Sequence, residues 1–270
     1  MEDFQLQHSL ESRAGSAGFT WYGLAGEALG KFAAEYVVNH QIHEISFSLL
    51  DKAGSDALQG KLSNDGKELS GKISGILPTE WINTLVSWFD LGSYRIIGAP
   101  PSLDFQMETI SPLPKGTATL QLNGLGLDIP GTNQINGING SVSLALNGLP
   151  RSAGSQVLTI DSISTSIVDI EDIHLNWNLL SIRHLEINQL HGKIGSGHVE
   201  VEPFTVDPMN PEIVTTIRFT GVEGDLIRRI LGEERFSLNG TVTGQIQVGF
   251  RNGELVLGQG RFDMDTRADQ

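Results

Sequence analysis

From residue 117 onward, apolar and polar positions alternate with period two. Leu120 and Leu122 interleave with Thr119, Gln121 and Asn123, and Val142, Leu144 and Leu146 with Ser141, Ser143 and Asn147. Leu175 and Trp177 alternate with His174, Asn176 and Asn178, Ile217 and Phe219 with Arg218 and Thr220, and Ile246, Val248 and Phe250 with Gln245, Gln247 and Arg251. Successive side chains of a strand point to opposite faces, so each run predicts a strand with one apolar and one wettable face. Such two-faced strands belong to antiparallel sheets, since parallel strands are buried on both sides and read as continuous apolar runs. Further strands are expected at 43–50, 58–62 and 69–76. A dozen strands spaced ~4.8 Å apart extend a sheet by on the order of 55 Å, and an open sheet of that size curls, splits or closes.

The expectation is a mainly β protein, an elongated antiparallel sheet curled into a groove, with two or three short helices. The twelve apolar residues from Leu120 to Phe250 named above should share one concave surface. An ordinary sandwich core would show the same alternation.

Three segments break the β pattern. Residues 23–38 carry Leu24, Ala28, Phe32 and Tyr36 at helical spacing. Residues 79–90 place Trp81, Leu85 and Trp88 on one face, opened by Pro78, Thr79 and Glu80 and stopped at Gly92. Residues 224–232 read as a short helix with Asp225 as its N-cap. The stripe of the second helix must be buried somewhere, and the apolar sheet face is the expected place. Asn-Gly pairs at 123–124, 136–137, 139–140, 147–148, 239–240 and 252–253 predict tight hairpin turns, because both residues tolerate positive φ. Four prolines within 98–116 suggest a long connection. The resulting division is a β-rich segment over 1–97, a Pro-rich connection over 98–116, and a second β segment over 117–270.

Composition narrows the function. The net charge is −14, from 32 acidic and 18 basic residues. That balance argues against a nucleic-acid binder, which needs a basic stripe to displace counterions, and, with no Lys/Arg cluster, against a polybasic anchor on anionic lipid. Without cysteine there is no disulfide and no thiolate chemistry. The N-terminal residues lack the basic and apolar regions of a signal peptide, and no run reaches the ~18 apolar residues of a membrane helix. The sequence reads as soluble, or as part of a longer protein whose anchor lies elsewhere.

Candidate chemistry is sparse. His40 and His43, with Glu44 beside them, suggest a metal pair at i, i+3, but no third ligand is in view. His184, His191 and His198 recur every seven residues, across an expected turn at 192–197. Asp263, Asp265 and Asp269 begin like a calcium loop but lack its glycine and closing glutamate. Gly124-Leu-Gly126 lacks the third glycine of a dinucleotide site. Ser162, Ser164 and Ser166 have no base and orienter beside them. No catalytic, cofactor-binding or metal residues are assigned, no cofactor is expected, and the chain is not read as an enzyme.

Four ordered blocks carry a resemblance. They are INGINGSVSLALNGLP at 135–150, SQVLTIDSISTSIVDIEDIHLNWNL at 155–179, LEINQLHGKIGSGHVEVEPFTVDP at 185–208, and the segment from Phe219 to Phe262. Together they resemble the C-terminal region of the YdbH-like family, whose closing pattern runs from a strand into GxxLxxLL and then xGxxxGxIPVxxxxGxxxIxxGxL. Gln245-Ile246-Gln247-Val248 departs from it by lacking the proline, and Arg228 and Arg229 stand where the family carries a more apolar helix. The family is similar to the AsmA-like and TamB-like proteins. The resemblance implies a groove lined with apolar residues, phospholipid acyl chains as cargo, and transfer toward the outer membrane. It also implies a periplasmic setting, an inner-membrane anchor in the full-length protein, and membrane proteins at the groove ends as partners. A "dicarboxylate transport" label attached to the same domain fits poorly, because the alternation offers no cationic pocket. The competing reading is a structural or adhesive β-sandwich that binds a protein partner by strand addition.

Overall fold

The structure is a computed structural model, and it describes residues 5–9, 14–22, 28–39, 42–64, 69–88, 95–109, 115–129, 133–231, 240–251 and 254–265. Among them are nineteen strands and two short helices. The first strands are β1 (Gln5–Ser9), β2 (Ala14–Tyr22), β3 (Ala28–Asn39), β4 (Ile42–Asp51), β5 (Asp56–Asn64) and β6 (Leu69–Ile76). After α1 (Thr79–Trp88) come β7 (Arg95–Gly98), β8 (Ser102–Thr109), β9 (Lys115–Ile129), β10 (Asn133–Asn147), β11 (Leu149–Ser152), β12 (Gln156–Ser164) and β13 (Asp169–Ser181). Then follow β14 (His184–Ile194), β15 (Gly197–Val201), β16 (Phe204–Val206), β17 (Ile213–Glu223), α2 (Gly224–Leu231), β18 (Thr241–Arg251) and β19 (Glu254–Asp265).

All strands belong to one antiparallel sheet. Its order follows the chain as a meander, with three local exceptions. β6 pairs β8 past β7, β10 pairs β12 past β11, and β14 pairs both β15 and β16. Among the described residues β1 is paired by β2 alone and β19 by β18 alone, so the sheet is open. The mainly β, antiparallel architecture read from the alternation is the one observed.

Three local expectations are corrected. Residues 28–39, expected within a helix over 23–38, form β3, paired with β2 on one side and β4 on the other; residues 23–27, Leu24 among them, lie outside the described residues. The expected connection over 98–116 contains β8, paired with β6 and β9. Gly124, Gly137 and Gly140 sit inside β9 and β10 rather than in turns, with φ of 78°, 66° and 135°. They mark irregularities within paired strands, where glycine tolerates the positive φ that a bulge requires. Asn147-Gly148 does make a tight hairpin, with Asn147 opposite Leu149. Asn239 and the pair at 252–253 lie outside the described residues.

The chain divides into two compact units, 1–125 with 142–153, and 126–141 with 154–270. In the first, Trp81 of α1 is 5% exposed and packs with Leu29, Ala57 and Leu58, against Leu49, Ile73 and Leu103. Its indole N–H donates to the Leu29 carbonyl at 3.0 Å. Asn83 fastens β7 to the same helix, accepting from the Ile96 N–H at 2.7 Å and donating to the Ile96 carbonyl at 3.1 Å. The expected docking of the 79–90 helix onto the apolar sheet face therefore holds for Trp81, while the Leu85 and Trp88 side chains lie outside the described residues.

In the second unit Ile227 of α2 is 2% exposed and closes over Ile194, Phe219, Val222, Val242, Ile246 and Val248. Asp225 lies within the first turn, and its carboxylate accepts from the Arg228 guanidinium at 2.7 and 2.9 Å. That contact, rather than the expected N-cap, is its partner.

Candidate functional site

Residues directly opposite each other in an antiparallel pair lie on the same face, so the register traces each face across the strands. In the second unit one row runs Gly140, Leu158, Leu175, Leu190, Val201, Ile217, Ile246, Gly260 over eight strands. Every member is aliphatic or glycine. Seven inter-strand steps span about 34 Å. One residue away, on the opposite face, the row reads Asn139, Thr159, His174, His191, Glu200, Arg218, Gln245, Arg261. Every member of that row is polar.

The first unit repeats the contrast. Phe19, Phe32, Leu49, Leu58, Gly75, Leu103 and Leu120 form one row over seven strands. Gly18, Ala33, Ser48, Gln59, Ser74, Asp104 and Thr119 back it on the other face. The rings of Phe19, Phe32 and Phe47 stack in sequence on the apolar face, with centroids 4.8 and 5.9 Å apart. The Phe47 ring lies where a side chain on Gly60 would stand, so the aromatic covers the glycine across the strand pair.

The residues expected to share a face do so within each unit. In the first, Leu120 and Leu122 lie two apart on β9. The Thr119 and Ser143 hydroxyls meet at 3.1 Å on the polar face, which leaves Val142, Leu144 and Leu146 on the apolar one. In the second, Leu175 and Trp177 share a face, and the register joins it through Leu190 and Val201 to Ile217, Ile246 and their neighbours Phe219, Val248 and Phe250. Phe219, Ile246 and Val248 are buried beneath α2, whereas Leu175, Trp177, Ile217 and Phe250 are half-buried.

The first unit also carries an open hollow. A concavity of about 780 Å³ there is lined by Ser16, Glu35, Ser46, Gln59, Lys61 and Lys72, side chains of the polar face.

Electrostatics are those of a solvated face. Lys193 donates to Asp172 at 2.6 Å, and Lys52 pairs with Glu80 at 2.9 Å. The hydrogen bond and charge of Lys193 hold the Asp172 carboxyl below the ordinary aspartate range, and Lys52 does the same to Glu80. Among the described residues no three histidine, aspartate or glutamate side chains converge as metal ligands. His184 and His191 lie on β14 and His198 on β15. His191 instead stacks on His174, ring centroids 4.9 Å apart, a pairing across strands that spacing along the chain does not reveal. His43 lies on β4 and Asp263 and Asp265 on β19, while His40 and Asp269 lie outside the described residues.

One polar point interrupts the apolar face of the second unit. Gln156, 6% exposed, is the buried polar side chain among the described residues, and its cross-strand partner is Trp177. The Gln156 amide donates to the Gly154 carbonyl at 2.8 Å. The Trp177 indole N–H is buried with no acceptor.

An open antiparallel sheet that keeps one face apolar from strand to strand defines a class of long-sheet β proteins built around a two-sided surface. Within that class the chain belongs to the YdbH-like family, which residues 111–266 match under the description "Intermembrane phospholipid transport protein YdbH". The match begins upstream of the blocks that carried the resemblance in the sequence. It places the chain in a family of lipid transport between membranes. Among curated proteins and among solved structures, none matches the chain.

Proposed function

We propose that this chain carries phospholipid by its acyl chains along the apolar rows, as a module of a cell-envelope protein working in the periplasm. The observation behind this reading is the row from Gly140 to Gly260, apolar at all eight strands and polar on its reverse. Each CH₂ withdrawn from water gains about 0.8 kcal/mol. From Leu158 to Ile217 the row is half-buried rather than covered, so an acyl chain advancing by one strand exchanges one aliphatic neighbour for another, while Ile246 lies beneath α2. The headgroup stays in water at the rim. The reading includes an inner-membrane anchor in the full-length protein; among the described residues no helix is long and apolar enough to cross a membrane.

The test is site-specific photocrosslinking in cells. Leu158 lies on the apolar row, and its chain neighbour Val157 is an equally apolar side chain, 53% exposed, on the polar face. A crosslinker at Leu158 should capture phospholipid and one at Val157 should not. Equal capture at both would defeat the proposal, since hydrophobicity alone would then explain it. Strand addition, the competing reading, keeps one observation in its favour: β19 is paired on one side among the described residues and exposes Val256, Leu257, Phe262 and Met264.

A further inference from the structure

We infer that Trp177 and Gln156 form a polar station in the apolar face that receives the ester carbonyl of a phospholipid's glycerol region; the inference rests on the acyl-carrying reading above. Two independent observations meet at this point. Among the described residues, Gln156 is the buried polar side chain and Trp177 Nε1 is the buried side-chain donor without an acceptor. The register makes them direct cross-strand partners, beside the Leu158–Leu175 step of the apolar row.

A buried donor left unpaired gives up its hydration with nothing in exchange, and buried donors are otherwise nearly always satisfied. Trp177 Nε1 is closed to solvent and gives no bond to the Gln156 amide oxygen opposite, so an acceptor brought by a ligand has to enter through the apolar face itself. Its other cross-strand neighbour is Ile187, which continues to Phe204, and neither side chain can accept a hydrogen bond. An acyl chain offers no acceptor either. The ester carbonyl, where acyl chain meets headgroup, is the first one a phospholipid presents, and indole N–H groups favour that boundary between apolar and wet surroundings. Trp177 therefore marks where the acyl portion of a bound lipid ends along this face.

The experiment is a competition. The whole chain is incubated with vesicles of equal parts dioleoyl phosphatidylglycerol and its diether counterpart, which has the same chains and headgroup but no ester carbonyl. The bound lipids are then compared by native mass spectrometry. The wild-type protein should favour the ester lipid by about fivefold, the discrimination of one net hydrogen bond. Trp177→Phe keeps the ring and loses the N–H, and its ratio should fall to near one with total lipid unchanged. Trp81→Phe removes an indole N–H that already has the Leu29 carbonyl as acceptor, and it should keep the wild-type ratio. A wild-type ratio of one, as expected if water satisfies Trp177, overturns the inference, as does an ester preference surviving in Trp177→Phe. Binding of neither lipid overturns the acyl-carrying reading itself, a different result from equal binding of both.

Discussion

At the scale of single residues, the faces are kept apart by register rather than by composition. Asp172 shows what a break in register costs and how it is held. It is the non-glycine residue at positive φ, 50°, among those described, and lies where the β13–β14 pairing shifts between Glu171 and His174. Aspartate is one of the few residues that accept this conformation readily, and Lys193 across the bulge pairs with it. Its carboxyl is held below the ordinary range, so the stabilisation is present above the unfolded aspartate value and lost as pH falls through the lower folded one. Both groups are exposed, which keeps the contribution small. Carbon-detected NMR should find Asp172 titrating below an ordinary aspartate and returning toward it in Lys193→Gln; an unchanged titration in that variant would show that Lys193 is not the cause.

At the scale of elements, α1 and α2 each cover one apolar cluster, and Trp81 bears most of the contact described for α1. Trp81→Ala removes a buried indole and should cost about 3–5 kcal/mol in urea unfolding. Trp81→Phe, which loses the hydrogen bond to Leu29 but keeps much of the packing, should cost markedly less. Equal costs would mean that the hydrogen bond, not burial, holds the helix down.

Elements were unevenly legible in the sequence. The α1 stripe was legible because two tryptophans and a leucine behind Pro78 have no strand equivalent. β3 was not, since Leu24, Ala28, Phe32 and Tyr36 recur every four residues, which is both near one helical turn and two strand repeats. Ala33 and Val37 on the intervening face hid the alternation that Lys31 and Glu35 would otherwise have shown. The in-strand Asn-Gly pairs were opaque for a related reason. The chemistry that favours a turn also favours a bulge, and only the partner strand decides between them.

For the whole molecule, the twelve apolar positions read from alternation occupy the apolar face of their own unit. The hollow of the first unit was not legible in the sequence, because cross-strand neighbours far apart in the chain line it. If the apolar rows carry lipid, one charge within them should stop transport while a charge one residue away should not. Leu190→Glu places a carboxylate on the row of the second unit; Gln189→Glu places one on the exposed reverse. An unpaired carboxylate among aliphatic side chains costs several kcal/mol or takes up a proton. The first variant should fail to complement an envelope-permeability defect at expression levels where the second succeeds. Equal complementation would exclude a continuous apolar path. Loss of the folded protein in Leu190→Glu alone would indicate a closed core.

The meander also has a consequence for how such a chain folds and changes length. Nearly every strand pairs with its neighbour in sequence, so ordering a strand closes only a short loop, and its entropic cost is low. Folding can then advance hairpin by hairpin as the polypeptide is delivered, without waiting for distant segments, as in repeat proteins whose units contact only adjacent units. Gain or loss of one hairpin changes the strand count by two and returns the chain to the same direction and the same pair of faces. Lineages could therefore lengthen or shorten such a sheet in steps of about 10 Å without redesigning either surface.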